Sequence, residues 1–345
     1  MRKFSTIAHS ALRGGRAAAL LLAMMAAGAT ACHRRPLEDP SYGVRVKIVV
    51  DTDSIRNVTS DIYNPNIELQ TIDPDMMHVM FFDATEDKLV AETYLTDVEQ
   101  DDKGHKVLCG DIGLAPGVYR MYSYSFGADY SPLSNIYDWS KAYAGTIELP
   151  ESLSAKYRTK LSPEEEAITY TPDHLMVARE PQETIPYHMG TYTVWADAPS
   201  VVESFYLQIK VQGLEYVSSA RAVLSGMSSG NFIALGQRVD DPTVTHYFSL
   251  EKSKDGDDDV ICTIFNSYGR PSGSYNSLSV TFDLVTGDGR GITKTIDISD
   301  LFLSRNCIDH NWLLIEDSIV VPPPPKGNFA PSVEDWESEE IDIPL

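Results

Sequence analysis

Apolar and polar residues alternate along most of this chain with a period of two. Residues 44–50 set the pattern. Val44, Val46, Ile48 and Val50 fall on one face, and Arg45, Lys47 and Val49 on the other, which predicts a half-buried β-strand. Residues 204–213 repeat it most cleanly. There Phe205, Leu207, Ile209 and Val211 face one way, while Ser204, Tyr206, Gln208 and Lys210 face the other. Further strands are expected at 76–82, 89–95, 105–114, 118–126 and 142–149. A later set falls at 174–178, 184–195, 216–224, 231–235, 243–250, 260–265, 278–284, 292–298 and 311–315, the last extending toward 321. Segment 76–82 (MMHVMFF) is apolar on both faces and is expected at the centre of a sheet. Tyr119 follows Pro116-Gly117 just inside its strand, where a hydroxyl can pin a sandwich corner.

Many short strands separated by turn signals predict an all-β fold of sandwich or barrel type. The pattern occurs twice, at 44–150 and 174–321, with 142–149 closing the first sandwich. The polar segment 151–173 between them contains Ser162-Pro163 and the acids Glu164 to Glu166. It reads as a linker, in which Ser162 caps a short surface helix with Pro163 at its first position. Residues 322–345 form a tail that opens on four prolines and becomes acidic. The simplest reading is a solvated segment. The sharper one is a docking strand with Trp336 among its apolar handles.

The N-terminus has a different pattern. Arg2, Lys3, Arg13 and Arg16 precede an uncharged run at 17–31, and Cys32 follows at once. A basic head, a short apolar run and small residues at a break form an export signal. The run is too short to span about 30 Å of hydrocarbon comfortably. Cys32 is the expected lipid acceptor after cleavage of 1–31, and the polar residues 32–43 are the tether. Arg34 and Arg35 in that tether offer a protease site. An ordinary secreted protein and an uncleaved anchor are the rival readings of the same residues.

The formal net charge is −22 over 345 residues, and the signal segment carries bases only. Such a surface repels phosphate backbones, so no nucleic-acid partner is expected. It is also repelled by anionic lipid, which leaves membrane attachment to the anchor. Besides Cys32, the cysteines are Cys109, Cys262 and Cys307. They read as buried thiols in β structure, with a Cys262–Cys307 disulfide as the alternative. No nucleophile, zinc or phosphate-loop motif is present, so neither enzyme activity nor a cofactor or metal is expected. Asp255, Asp257, Asp258 and Asp259 fail the calcium-loop spacing, since Val260 and Ser267 occupy its glycine and glutamate positions. Tyr130, Tyr137, Trp139 and Tyr143 form an aromatic cluster able to meet a partner or a glycan, or to be a core edge.

Several stretches carry a resemblance. They are residues 32–40 (CHRRPLEDP), 54–66 (SIRNVTSDIYNPN), the L-x-P-G-x-Y of 114–119, Ala142-Tyr143, 170–179 (YTPDHLMVAR), 185–188 (IPYH) and 205–213 (FYLQIKVQG). Together the chain resembles the Bacteroidetes surface lipoproteins that are similar to anchor and accessory subunits of the fimbrillin-type (type V) pilus. The resemblance implies two tandem transthyretin-like (immunoglobulin-like) β-sandwiches, lipid attachment at Cys32 and an outer-membrane location. It also implies fimbrillin-like partners and a non-enzymatic role in fimbrial anchoring, assembly or adhesion. The resemblance further implies that major subunits lose a first strand to proteolysis, a neighbour's extended strand filling the groove, whereas an anchor keeps its own. Surface glycan binding for nutrient capture is the alternative. Asp53-Ser54-Ile55 and Asp317-Ser318-Ile319 fit the D-S/T-aliphatic motif glycosylated in that phylum, making Ser54 and Ser318 candidate acceptors.

Overall fold

Strand β1 (Gly43–Asp51) forms where the alternation predicts it, with Val44, Val46, Ile48 and Val50 turned inward. The computed structural model describes residues 43–58, 61–158, 166–272 and 277–325. β1 lies inside a sheet, with β11 (Tyr192–Pro199) parallel on one side and β5 (Lys106–Gly113) antiparallel on the other. β4 (Asp97–Gln100) extends the sheet beyond β5. On its outer face Arg45 reaches Asp97 (3.0 Å), Glu99 (3.2 Å) and Asp111 (3.2 Å). Lys47 pairs with Glu99.

A second sheet runs β10 (Val177–Ile185), β6 (Gly117–Ser125), β2 (Met77–Asp83), β3 (Leu89–Leu95). The two sheets close on one core, to which Ile48, Val79, Phe81, Met121, Ala178 and Val194 contribute. The other face of β2 and β6 is buried as well. Met80, Phe82, Tyr122 and Tyr124 pack there with Trp139, Ile233 and Tyr268. β2 is therefore central, as its two apolar faces predict. The Tyr119 hydroxyl donates to the Ala115 carbonyl at 2.8 Å and fixes the corner before β6.

The second half is a larger sheet that curls into a half-barrel. Its order is β19 (Gly291–Asp297), β18 (Ser279–Thr286), β13 (Val217–Ser228), β16 (Thr243–Asp255), β17 (Asp258–Ser267), β12 (Glu203–Gln212), β20 (Trp312–Val320). The curl occurs at β16, whose residues up to Leu250 pair with β13 and whose residues from Glu251 pair with β17. β9 (Ala167–Tyr170) adds parallel to β16. The inward row Phe205, Leu207, Ile209 and Val211 lies in the core that this sheet wraps.

Two expectations are corrected. β10 and β11 were expected in a C-terminal sandwich spanning 174–321, yet they hydrogen-bond to β6 and β1. The chain returns to finish the first sandwich before it begins the second half. Residues 142–149 do not close that sandwich. Instead β8 (Tyr143–Gly145) joins a small sheet, β15 (Gln237–Arg238), β14 (Gly230–Phe232), β8, β7 (Leu133–Ser134). The helix of the 151–173 segment occupies Glu151–Arg158, and Ser162 and Pro163 lie outside the described residues. Cys262 and Cys307 are unbonded buried thiols, as is Cys109.

Polar contacts tie the two halves. The Trp312 indole donates to the Asn57 side-chain carbonyl at 2.6 Å, and the Asn57 amide donates to the His310 carbonyl at 2.8 Å. The Tyr63 hydroxyl donates to Asp255 at 3.1 Å, and the Asn64 amide to Ser253 at 3.0 Å.

Candidate functional site

A cleft of about 350 Å³ is lined by residues of the first half, and its His174 bonds to Ser204 of the second. One wall is the segment 70–76, and the other is the end of β6 with Ser125, Phe126 and Gly127. Its floor is Asp173, His174 and Met176, where the chain leads into β10. Segment 70–76 is held in place by Lys106, whose ammonium meets Asp73 at 2.7 Å and Asp75 at 3.4 Å. Asp173 accepts the Tyr130 backbone N–H at 2.9 Å.

His174 is buried, and each ring nitrogen lies 2.8 Å from a hydroxyl, Ser200 on one side and Ser204 on the other. Ser204 continues to the Asn266 amide at 2.8 Å, and the Asn266 amide donates to Gln70 at 2.8 Å. Burial pushes the His174 imidazole down to about 4, so it is neutral at pH 7. His246, held between Thr169 and Ser267 at 3.1 Å each, is pushed down to about 3 by burial. His78 is lowered by burial, against the opposing pull of Glu92. These buried imidazoles are committed to structural hydrogen bonds, and among the described residues no three His, Cys, Asp or Glu groups are placed to hold a metal.

An aromatic ledge borders the cleft. Phe126 is 41% exposed, and Tyr94 on β3 is 54% exposed. Their ring centroids are 6.0 Å apart, and His78 stacks beneath Tyr94 at 4.6 Å. The two rings are tilted 43° to one another, and the apolar face of either one beside carboxylates suits a polyhydroxylated ring, whose C–H groups stack while its hydroxyls donate.

The predicted site residues are dispersed. Trp139 is buried against Phe82 and Tyr122. Tyr143 packs on Phe232 and donates to the Ser229 carbonyl at 3.1 Å. Tyr130 meets Tyr170 edge-on at 5.3 Å, and Tyr137 projects to solvent. The four therefore make no shared platform. Ser54 is exposed in a turn, its hydroxyl donating to the Asp51 carbonyl at 2.9 Å. Ser318 lies in β20, and its carbonyl accepts from Lys294 at 2.8 Å. Cys32 and Trp336 lie outside the described residues. Sequence reasoning missed Phe126 and Tyr94 because each reads as one more apolar strand position. It missed the His174 chain because its members are separated by long stretches of sequence.

A family model described as a domain of unknown function (DUF5119) matches residues 66–249, more than half of the chain. The chain belongs to the DUF5119 family. The match spans most of the first sandwich, the small sheet and the first part of the half-barrel. Among solved structures, this DUF5119 chain is similar to a candidate adhesin from Bacteroides ovatus ATCC 8483. That pair is 19% identical, covers 85% of this chain and 97% of the other, and has a TM-score of 0.54. A more distant likeness is to the fimbrial anchor protein Mfa2 from Porphyromonas gingivalis, at 13% identity, 81% and 90% coverage and a TM-score of 0.47. Only the first is near enough to speak for a shared fold. No curated protein matches the sequence.

Proposed function

We propose that this protein is a lipid-anchored, surface-exposed protein of the bacterial outer membrane. It acts without enzymatic chemistry in adhesion or in the anchoring and assembly of a fimbrium. One observation carries the reading: the likeness to the candidate adhesin runs almost end to end, so the arrangement of sheets, and not one motif, is held in common. The commitment of the buried histidines to structural hydrogen bonds supports the non-enzymatic part. Cys32 is the lipid acceptor in this reading, and 32–43 leads from it to β1. The first half, in the transthyretin-like description, keeps β1 as its own strand, since both of its edges are already hydrogen-bonded.

The test is a crosslinked pull-down of the native protein from its own envelope, with mass spectrometry of what accompanies it. Fimbrillin-like subunits are expected. An outer-membrane transporter with glycan-degrading enzymes, and no pilus subunits, overturns the reading.

The ledge of Phe126 and Tyr94 beside an acid-lined cleft favours a second reading, capture of surface glycans. It expects saturable binding of a neutral oligosaccharide that weakens about ten-fold in Phe126→Ala, the loss of one stacking contact. Calorimetry against a panel of envelope and dietary glycans checks it, and absence of any binding removes this reading.

A further inference from the structure

The two most exposed large apolar side chains of the described residues lie in one loop. Met189 is 96% exposed and Tyr187 is 78% exposed. Both fall between β10 and β11, in the segment Pro186-Tyr187-His188-Met189-Gly190. Solvating an isolated apolar tip is unremarkable, but two in one short turn form a patch that water disfavours.

The position of the loop identifies what covers it. Its His188 ring lies 3.3 Å from the carbonyl of Gly43, the first residue of β1. Its other ring nitrogen lies 2.9 Å from the loop's own Pro186 carbonyl, and a neutral imidazole can donate to one of the two. The loop thus lies beside the point where the chain from Cys32 enters the fold. Eleven residues, 32–42, separate them, and such a stretch reaches at most about 38 Å. Once an acyl chain holds Cys32 in a bilayer, this end of the sandwich is the end confined near the surface. Tyrosine and methionine suit that zone, one with a polar tip at the headgroups and the other wholly apolar. The protein's strong negative charge makes an anionic lipid a poor host, so the surface has to be a neutral one.

We propose that the Tyr187–Met189 loop is a second membrane contact, inserting into the interface of a neutral bilayer beside the lipidated N-terminus. It adds to the covalent tether a seat that fixes which end of the molecule faces outward. The inference rests on the anchored reading above, and its test separates the two.

In the mature chain beginning at Cys32, that thiol is the one to couple, because Cys109, Cys262 and Cys307 are buried. Coupling it to a maleimide phospholipid in phosphatidylcholine–phosphatidylethanolamine vesicles supplies the anchor chemically, whatever the cell does at that residue. Oxidation of Met189 by the membrane-impermeant oxidant chloramine-T is then followed by mass spectrometry. The expected result is oxidation at least about five-fold slower on vesicles than for the same protein left uncoupled. Tyr187→Ser should relieve most of that protection. An unchanged rate on vesicles overturns the proposal. So does equal protection of the uncoupled protein that grows with its concentration, which would assign the loop to a protein contact. Whether the cell acylates Cys32 is read separately from the intact mass of the native protein, so failure of the anchor and failure of the loop are distinguishable.

Discussion

At the scale of single residues, His174 and His246 do more for stability than their scattered sequence positions suggest. Both are buried and neutral, with folded values of about 4 and about 3, against about 6.5 in an unfolded chain. A depressed histidine contributes stability that is fully present above the unfolded value. It is lost as the pH falls below it, because the unfolded chain then binds the proton and the folded one does not. Between pH 7 and pH 5 the pair should remove about 4 kcal/mol from the unfolding free energy. Urea melts at those two pH values measure it. His174→Gln keeps a hydrogen-bonding group without the titration and should shed about half of the pH slope. His105 works in the opposite sense. Asp101 and Asp53 hold its value up, so its contribution is present below the ordinary histidine range and lost as the pH rises, but it is only half-buried and weak. The Tyr119 hydroxyl is a simpler case. Tyr119→Phe removes one hydrogen bond to Ala115 and should cost about 1 kcal/mol in the same melts. Residue roles of this kind were legible only where a local motif announces them, as Pro-Gly-x-Tyr does. Nothing near His174 in the sequence points to Ser204 or Asn266.

At the scale of elements, the long alternating strands were readable because one face of each meets a core. β1 and β12 are the clearest examples, and their inward residues are those the period predicts. β4, β7, β9 and β15 escaped because they are short and take their existence from a neighbour's edge. β10 was hidden by its composition: Pro181 and two acids interrupt it, and its register shifts between Glu180 and Glu183. The small sheet has a specific weak point at Gly230. A methyl group there would come within 2.3 Å of the Ala144 carbonyl and 2.5 Å of the Tyr143 hydroxyl. The obstacle includes backbone, so Gly230→Ala must push β14 away from β8, at a cost of about 1–3 kcal/mol. Hydrogen exchange should quicken at 143–145 and 230–232 while the amides of β1 stay protected. Unchanged exchange in the small sheet would show that the two strands yield without separating.

At the scale of the whole molecule, chain order and spatial order part company. A reader of the sequence sees strands, a polar stretch with a helix, then more strands, and divides the chain at the polar stretch. Strand pairing divides it later. β1 needs β11, and β6 needs β10, although each pair is separated by the length of a small domain. Such non-local pairings leave no local signature, because a strand's periodicity reports that it has a buried face and not which sheet supplies its partner. The consequence is testable with two fragments. Residues 44–150 lack Ala178, Ile185, Val194, Ala196 and Ala198, all of which belong to the core of the first sandwich. They also leave β1 and β6 as open edges, so this fragment should remain largely unfolded or aggregate. Residues 43–200 contain every strand of both sheets and should fold far enough to protect the β1 amides from exchange. That fragment will still expose Met80, Phe82, Tyr122 and Tyr124, which in the full chain are covered in part by Ile233 and Tyr268. It should therefore bind a hydrophobic dye that the intact protein does not. Protection in the shorter fragment equal to that in the longer one would mean that the returning strands merely decorate a sandwich already complete without them.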